Sequence, residues 1–188
     1  MARPPLRRWK VLGEKTVYRA APWIRVARQR LRLPDGRLVR DYHRVELADY
    51  AVIVARLEDG RLLFERQYKH GIGAVSLTLP GGYLAKGENP LAAAKRELLE
   101  EAGARARRWR RLGTFTCNSN YGCGRGHLFL ATGVRRVAEP RSGDLEAMEF
   151  AFLTERRARA ALRRGEVRAL SAAAALGLAL GLLPPRPS

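Results

Sequence analysis

The chain has 188 residues, 46% of them hydrophobic, a mean hydropathy of −0.30 and a formal net charge of +18 carried mostly by arginine. That length suits one globular domain with a sizeable core and a small appendage, and no run reaches the eighteen or so apolar residues that a membrane span needs. Two cysteines, Cys117 and Cys123, and three histidines exclude a disulfide scaffold and argue against a His/Cys metal site.

The N-terminus, MARPPLRRWK, is basic and lacks the apolar centre of a signal peptide, so a cytoplasmic protein is expected. Strands follow. Asp35-Gly36 is a hairpin signal between two partly alternating runs, and Glu58–Arg61 turns a second hairpin between YAVIVARL and LLFERQY. Ala51–Leu57 is almost continuously apolar, as a central strand covered on both faces would be. LGTFTC, HLFLATGV and AMEFAFLT read as further strands, the first two joined by the polar loop Asn118–Gly126. ERRARAALRRGEV reads as a helix ending near Gly165, and Ala169–Leu183 as an apolar terminal helix. Strands and helices mix without regular alternation, which predicts an α/β fold with a mixed sheet flanked by helices.

One helix is marked at both ends. Asn89 is a good N-cap, Pro90 suits the first helical position, and Gly103 suits the left-handed position after the last turn, which predicts a helix over 90–102. Its stripe of Leu91, Ala94, Leu98 and Ala102 is expected to pack on the core. Glu97, Glu100 and Glu101 stand at i, i+3 and i+4 and are expected to project from one face, where like charges repel by a few tenths of a kcal/mol per pair. Such a cluster is either a solvated acidic patch, neutralised by Lys95 and Arg96, or a site for a hard divalent cation. The turn Pro80-Gly81-Gly82 just before it lets backbone approach whatever the carboxylates hold.

The spacing decides between them. From Gly82 the chain reads Gly, five residues, Glu88, seven residues, Arg96-Glu97-Leu98, one residue, Glu100-Glu101, one residue, Gly103-Ala104. This segment resembles the Nudix box at every fixed position; seven fixed identities make a chance match on the order of 10⁻⁹ per window. The resemblance implies a Nudix fold, an α/β/α sandwich, and metal-dependent diphosphate chemistry with Mg²⁺ or Mn²⁺. It implies Glu97, Glu100, Glu101 and the Gly81 carbonyl as metal ligands, with Glu100 also catalytic, and Gly82, Glu88, Arg96 and Gly103 as structural positions. Glu88 and Arg96 look like an ion pair tying loop to helix.

The likeness covers roughly residues 9–180 and is greatest to the ADP-ribose and ADP-sugar pyrophosphatases, through RQYKHGIGAVSLTLPGGYL, the LPDGR hairpin and GHLFLATGV. It implies a β-rich N-terminal arm over 1–46 that encloses substrate across a homodimer, and a catalytic domain over 47–188. Glu146 is the best match for a late catalytic carboxylate, with Asp144 and Glu149 as rivals. Lys69, where relatives usually carry Arg, is expected to meet the substrate phosphates; Arg66 is the alternative, and Tyr121 is a candidate to stack on base or ribose. Departures at Thr78, where relatives often carry Glu, and at Asn118-Ser119-Asn120 bear on the nucleotide rather than the reaction. The expected partner is a small nucleoside diphosphate. Other diphosphates such as GDP-mannose, a capped RNA end and a silent nucleotide-binding domain are the alternatives. The +18 charge would help an RNA ligand, but it also reads as arginine-rich solvated surface, and nucleic acid is not favoured.

Overall fold

The computed structural model describes residues 6–141 and 147–181. They form two compact units, residues 6–48 with 116–125, and residues 49–115 with the described part of 126–181.

In the first unit β1 (Lys10–Ala20), β2 (Ile24–Arg32) and β3 (Leu38–Leu47) form an antiparallel sheet in that order. The Asp35-Gly36 turn joins β2 to β3, with Gly36 at φ +88° and its N–H donating to the Leu33 carbonyl at 3.0 Å. Arg25 ties all three strands, reaching Glu14 on β1 at 2.5 Å and Glu46 on β3 at 2.8 Å. Alternate β2 residues Ala27, Gln29 and Leu31 are buried. Trp9, Val11, Val17, Tyr18, Trp23, Leu38 and Leu47 remain exposed.

In the second unit β4 (Tyr50–Leu57) is the central strand of a mixed seven-stranded sheet. It pairs in parallel with β9 (Cys123–Arg136) and antiparallel with β5 (Leu62–Lys69). β10 (Met148–Leu153) and β6 (Ala74–Thr78) flank β5; β7 (Ala104–Arg105) and β8 (Arg108–Asn118) flank β9, the end of β8 and the start of β9 grouping with the first unit. The alternation of β4 distributes the core. Ala51, Ile53 and Ala55 face α1 (Pro90–Ala102), while Val52 and Val54 face the cluster that includes α2 (Glu155–Arg163) and α3 (Leu170–Ala179). The result is the expected α/β/α sandwich. Small residues on both partners, Ala51 and Ala55 against Ala93, Ala94 and Ala102, let α1 lie close to the sheet, and fully buried Leu98 contributes about 1.5–3 kcal/mol.

The split between β4 and β5 positions the site. They pair only at Ala55–Leu63 and Arg56–Leu62. Beyond that point β5 takes β6 as its neighbour, from Glu65–Thr78 to Lys69–Ala74. The chain then crosses to β4: the N–H groups of Ile53 and Ala51 donate to the carbonyls of Pro80 and Gly82, each at 2.9 Å. The glycine turn is thus held as a short sheet-like segment at the edge of β4, which leaves a cleft between the diverging strands.

Candidate active site

α1 forms where its end signals require. The Asn89 side chain accepts from the N–H groups of Leu91 (2.9 Å) and Ala92 (3.4 Å), and Gly103 closes the helix at φ +59°. A Cβ at Gly103 would overlap the Ala138 carbonyl oxygen, so conformation and space both demand glycine.

The three helix carboxylates do not share one environment. Glu97 and Glu101 are buried, at 9% and 7% exposure, along the flank that also holds Leu98 and Ala102, whereas Glu100 points outward. Ala93 joins the expected stripe, and Leu91 is only partly buried. Glu101 and Glu97 meet the glycine turn directly. The Gly81 N–H donates to Glu101 Oε2 at 2.7 Å. A Cβ added to Gly82 would lie 2.5 Å from Glu97 Oε1, and one on Gly81 would overlap the Ala51 carbonyl oxygen. Gly81 is therefore required by the close approach of backbone, whereas a side chain at Gly82 could be accommodated only by displacing the Glu97 carboxylate. Gly82→Ala is expected to push the Glu97 carboxylate aside, lowering kcat about 10- to 100-fold while the melting temperature shifts by only a few degrees; steady-state kinetics beside a thermal melt checks this.

Arg96 organises the loop and the helix together. Its Nε and Nη2 donate to the two oxygens of Glu88 at 3.0 and 3.1 Å, and Nη2 also reaches the Tyr83 carbonyl at 3.1 Å. Its Nη1 donates to Glu97 Oε1 at 2.7 Å and to Glu100 Oε2 at 2.9 Å. All five guanidinium N–H donors are used. Glu88 also accepts from the Ala85 N–H at 2.9 Å. Arg96, and then that backbone N–H, hold the Glu88 carboxyl below its ordinary range, and Glu88 foremost pushes the Arg96 guanidinium higher still. The folded value of Glu88 is lowered, so its contribution is complete above the ordinary carboxylate range and fades only as pH falls through the lowered value. The clasp is fully formed at neutral pH.

A cavity of about 440 Å³ opens beside the glycine turn, lined by Gly81, Gly82, Glu101, Lys69, Glu65 and Thr78, among others. Lys69 thus shares the cleft with Glu101. Arg66 does not: it lines a different cavity with Arg156 and Arg168, since odd and even residues of β5 face opposite sides of the sheet. Tyr121 belongs to the first unit, where its ring is exposed, its N–H donates to Asn118 Oδ1 at 3.1 Å and its carbonyl accepts from the Val45 N–H at 3.1 Å. Glu146 and its rival Asp144 lie outside the described residues; Glu149 is on β10 opposite Arg66. Glu65, 2% exposed, was not singled out from the sequence. The signal was its parity on β5, which aligns it with Leu63 and Lys69 on the α1 side.

Among the described residues no three His, Cys, Asp or Glu side chains converge as a ready metal cluster. Arg96 engages Glu97 and Glu100, and the Gly81 N–H engages Glu101. The donor chemistry nonetheless fits a hard divalent cation: two buried carboxylates one helical turn apart, with peptide backbone brought against both.

The chain matches the NUDIX domain over residues 47–170 and the nucleoside diphosphate sugar hydrolase N-terminal domain over residues 9–45. It is 30% identical over 162 residues to an ADP-ribose pyrophosphatase of Mycobacterium tuberculosis, covering 85% of this chain and 77% of that protein. It is 31% identical over 171 residues to a CMP-5′-(N-acetyl-N-hydroxy-3-aminopropyl)phosphonate hydrolase of Streptomyces rubellomurinus, covering 91% and 81%. The crystal structure of an ADP compounds hydrolase superposes with a TM-score of 0.81 at 22% identity, covering 95% of this chain and 96% of that one. A split sheet carrying a glycine turn and a glutamate-bearing helix in this order defines a Nudix hydrolase, and the chain belongs to that family. Within it, the N-terminal match and the relatives group the chain with the ADP-ribose and nucleotide-sugar pyrophosphatases.

Proposed function

We propose that the protein hydrolyses the diphosphate of a nucleoside diphosphate linked to a sugar, with ADP-ribose as favoured substrate, giving AMP and ribose 5-phosphate. Water adds across the P–O–P bridge, one phosphorus gaining its hydroxyl and the other phosphate leaving. The observation that carries the reading is the pair of buried carboxylates, Glu97 and Glu101, set against the glycine turn in a cleft that Lys69 also enters.

Nudix hydrolases generally use divalent metals, and here Mg²⁺ or Mn²⁺ would be held by Glu97, Glu101 and the Gly81 carbonyl, with Glu100 contributing once released from Arg96. Bound there, the ion would lower the pKa of water and neutralise the diphosphate. Lys69 orients the substrate phosphates as a mobile point charge. Arg96 and Glu88 fix the turn to the helix. Glu146, assisted by Glu100, is assigned the proton-accepting role, and Tyr121 the face of the base. Two copies associate through the β1–β3 sheet, whose exposed Trp9, Val17, Tyr18 and Trp23 support an apolar interface. Residues 1–46 form that arm, residues 47–188 the catalytic domain, and the enzyme acts in the cytoplasm. No described helix is long and apolar enough to cross a membrane.

The likeness to a hydrolase of a CMP-linked phosphonate favours a second reading, in which the base is a pyrimidine. A panel of ADP-ribose, GDP-mannose, a CMP-linked phosphonate and capped RNA, assayed at fixed salt, separates the two. The proposal predicts the highest kcat/KM on ADP-ribose. A preference for the CMP compound would transfer the assignment, and steeply salt-dependent turnover of RNA would replace it.

A further inference from the structure

A cavity of about 870 Å³ lies away from the glycine turn, between α2 and the β5–β6–β10 edge of the second unit. Five arginines line it: Arg66, Arg156, Arg157, Arg164 and Arg168. The one carboxylate in its wall, Glu166, is already paired with Arg164 at 2.7 Å. Glu149 on β10 is the register partner of Arg66 on β5 and lies on the same face of the sheet, and Glu155 at the start of α2 pairs with Arg56 and Arg159. Among the described residues no ion pair is formed by the guanidinium groups of Arg66, Arg156, Arg157 or Arg168.

Like charges gathered round a concavity repel one another, and a low-dielectric wall focuses their field into it. The floor is apolar, made by Val75, Leu77, Leu153 and Ala160. A volume of this size suits a small-molecule site, and apolar floor with cationic rim matches a base or sugar carrying several phosphates. We infer that this cleft is a second ligand site, distinct from the glutamate-bearing cleft, and that it takes a free nucleoside polyphosphate.

The cleft is wired to the glycine turn through β6. Ser76 lines both cavities; its Oγ accepts from the Arg168 N–H at 3.1 Å, while its one proton is shared between the Leu77 carbonyl at 2.9 Å and the Glu166 carbonyl at 3.2 Å. The Leu77 N–H donates to the same carbonyl at 3.0 Å. Segment 166–168 is therefore hydrogen-bonded along the strand that runs into Leu79–Gly82, so an occupant held by Arg168 acts on the strand that carries the glycine turn.

The test is equilibrium binding of ATP to the full chain in EDTA, where turnover is suppressed, at about 0.15 M salt so that diffuse attraction is screened. The paired substitution Arg156→Glu, Arg168→Glu is expected to weaken binding at least ~10-fold. The milder pair Arg156→Gln, Arg168→Gln should move it in the same direction if the first folds poorly. Arg108→Glu with Arg110→Glu, on the exposed face of β8, and Lys69→Ala in the other cleft should each change it less than ~2-fold. ATP should bind at least ~5-fold tighter than inorganic tripolyphosphate, because the floor contributes. The inference is overturned if the cleft pairs leave ATP binding unchanged, if the β8 pair weakens it as much, or if Lys69→Ala abolishes it. Equal affinity for tripolyphosphate, or binding confined to a single-stranded RNA probe, would likewise overturn the nucleotide assignment.

Discussion

Glu101→Gln lowers turnover by about 10³-fold or more and leaves the fold in place. Glutamine has the same shape, and its amide oxygen still accepts the Gly81 N–H, so the loop-to-helix contact at 2.7 Å persists. What disappears is a negative charge at a buried position against backbone, where solvent does little to screen it. Catalysis that depends on a divalent cation to neutralise the diphosphate would lose an anionic ligand for that cation, whereas stability loses only a charge-assisted hydrogen bond replaced by a neutral one. Glu97→Gln should behave similarly in turnover, with a larger structural cost because Arg96 Nη1 donates to Glu97 Oε1 at 2.7 Å. The check is single-turnover kinetics beside a denaturation curve. An unchanged rate in Glu101→Gln contradicts the site.

Arg96→Ala produces a different pattern, a joint loss of stability and rate. The substitution removes five hydrogen bonds at once and leaves Glu88 and Glu97, with side chains 17% and 12% exposed, without their shared counter-charge. Breaking a fully buried pair costs about 3–5 kcal/mol. Arg96 itself is 35% exposed, so water screens part of the loss, and about 1–3 kcal/mol is expected. For a chain of this size that is a fall in melting temperature of roughly 3–10 °C. Turnover falls about 10²-fold because the glycine turn and Glu97 lose their fixed relation. Arg96→Lys restores the charge without the fork, and so recovers part of the stability and little of the rate. Thermal melts and kcat on the same three proteins check this; a rate loss with no stability loss would mean that Arg96 touches substrate instead.

How far the sequence foretold this site depends on how local each feature is. α1 was legible from its own residues, because Asn89, Pro90 and Gly103 act within one turn of the helix ends they define. The two hairpins were legible from Asp35-Gly36 and the turn at 58–61 for the same reason. The split between β4 and β5 was not, since it depends on Ala51 and Ile53 choosing partners some thirty residues onward. Nor was the grouping of 116–125 with the N-terminal strands, which rests on contacts such as Val45 with Tyr121. The face of Arg66 was available in principle. It differs in parity from Lys69 on one strand, so the two cannot serve one cleft, yet read as a linear stretch they look interchangeable. The inequality of Glu97, Glu100 and Glu101 also needed the packed helix, because helical spacing alone does not say where the sheet ends and solvent begins.

We propose that Glu97 and Glu101, brought against the glycine turn, support metal-dependent diphosphate hydrolysis. It is tested most directly by AMP release from ADP-ribose, followed while Mg²⁺ is titrated into metal-free protein, with Glu101→Gln in parallel. Saturable Mg²⁺-dependent release by the native chain is expected, with release reduced by about 10³-fold in the variant. Release that proceeds equally in EDTA, or equally in Glu101→Gln, would contradict it.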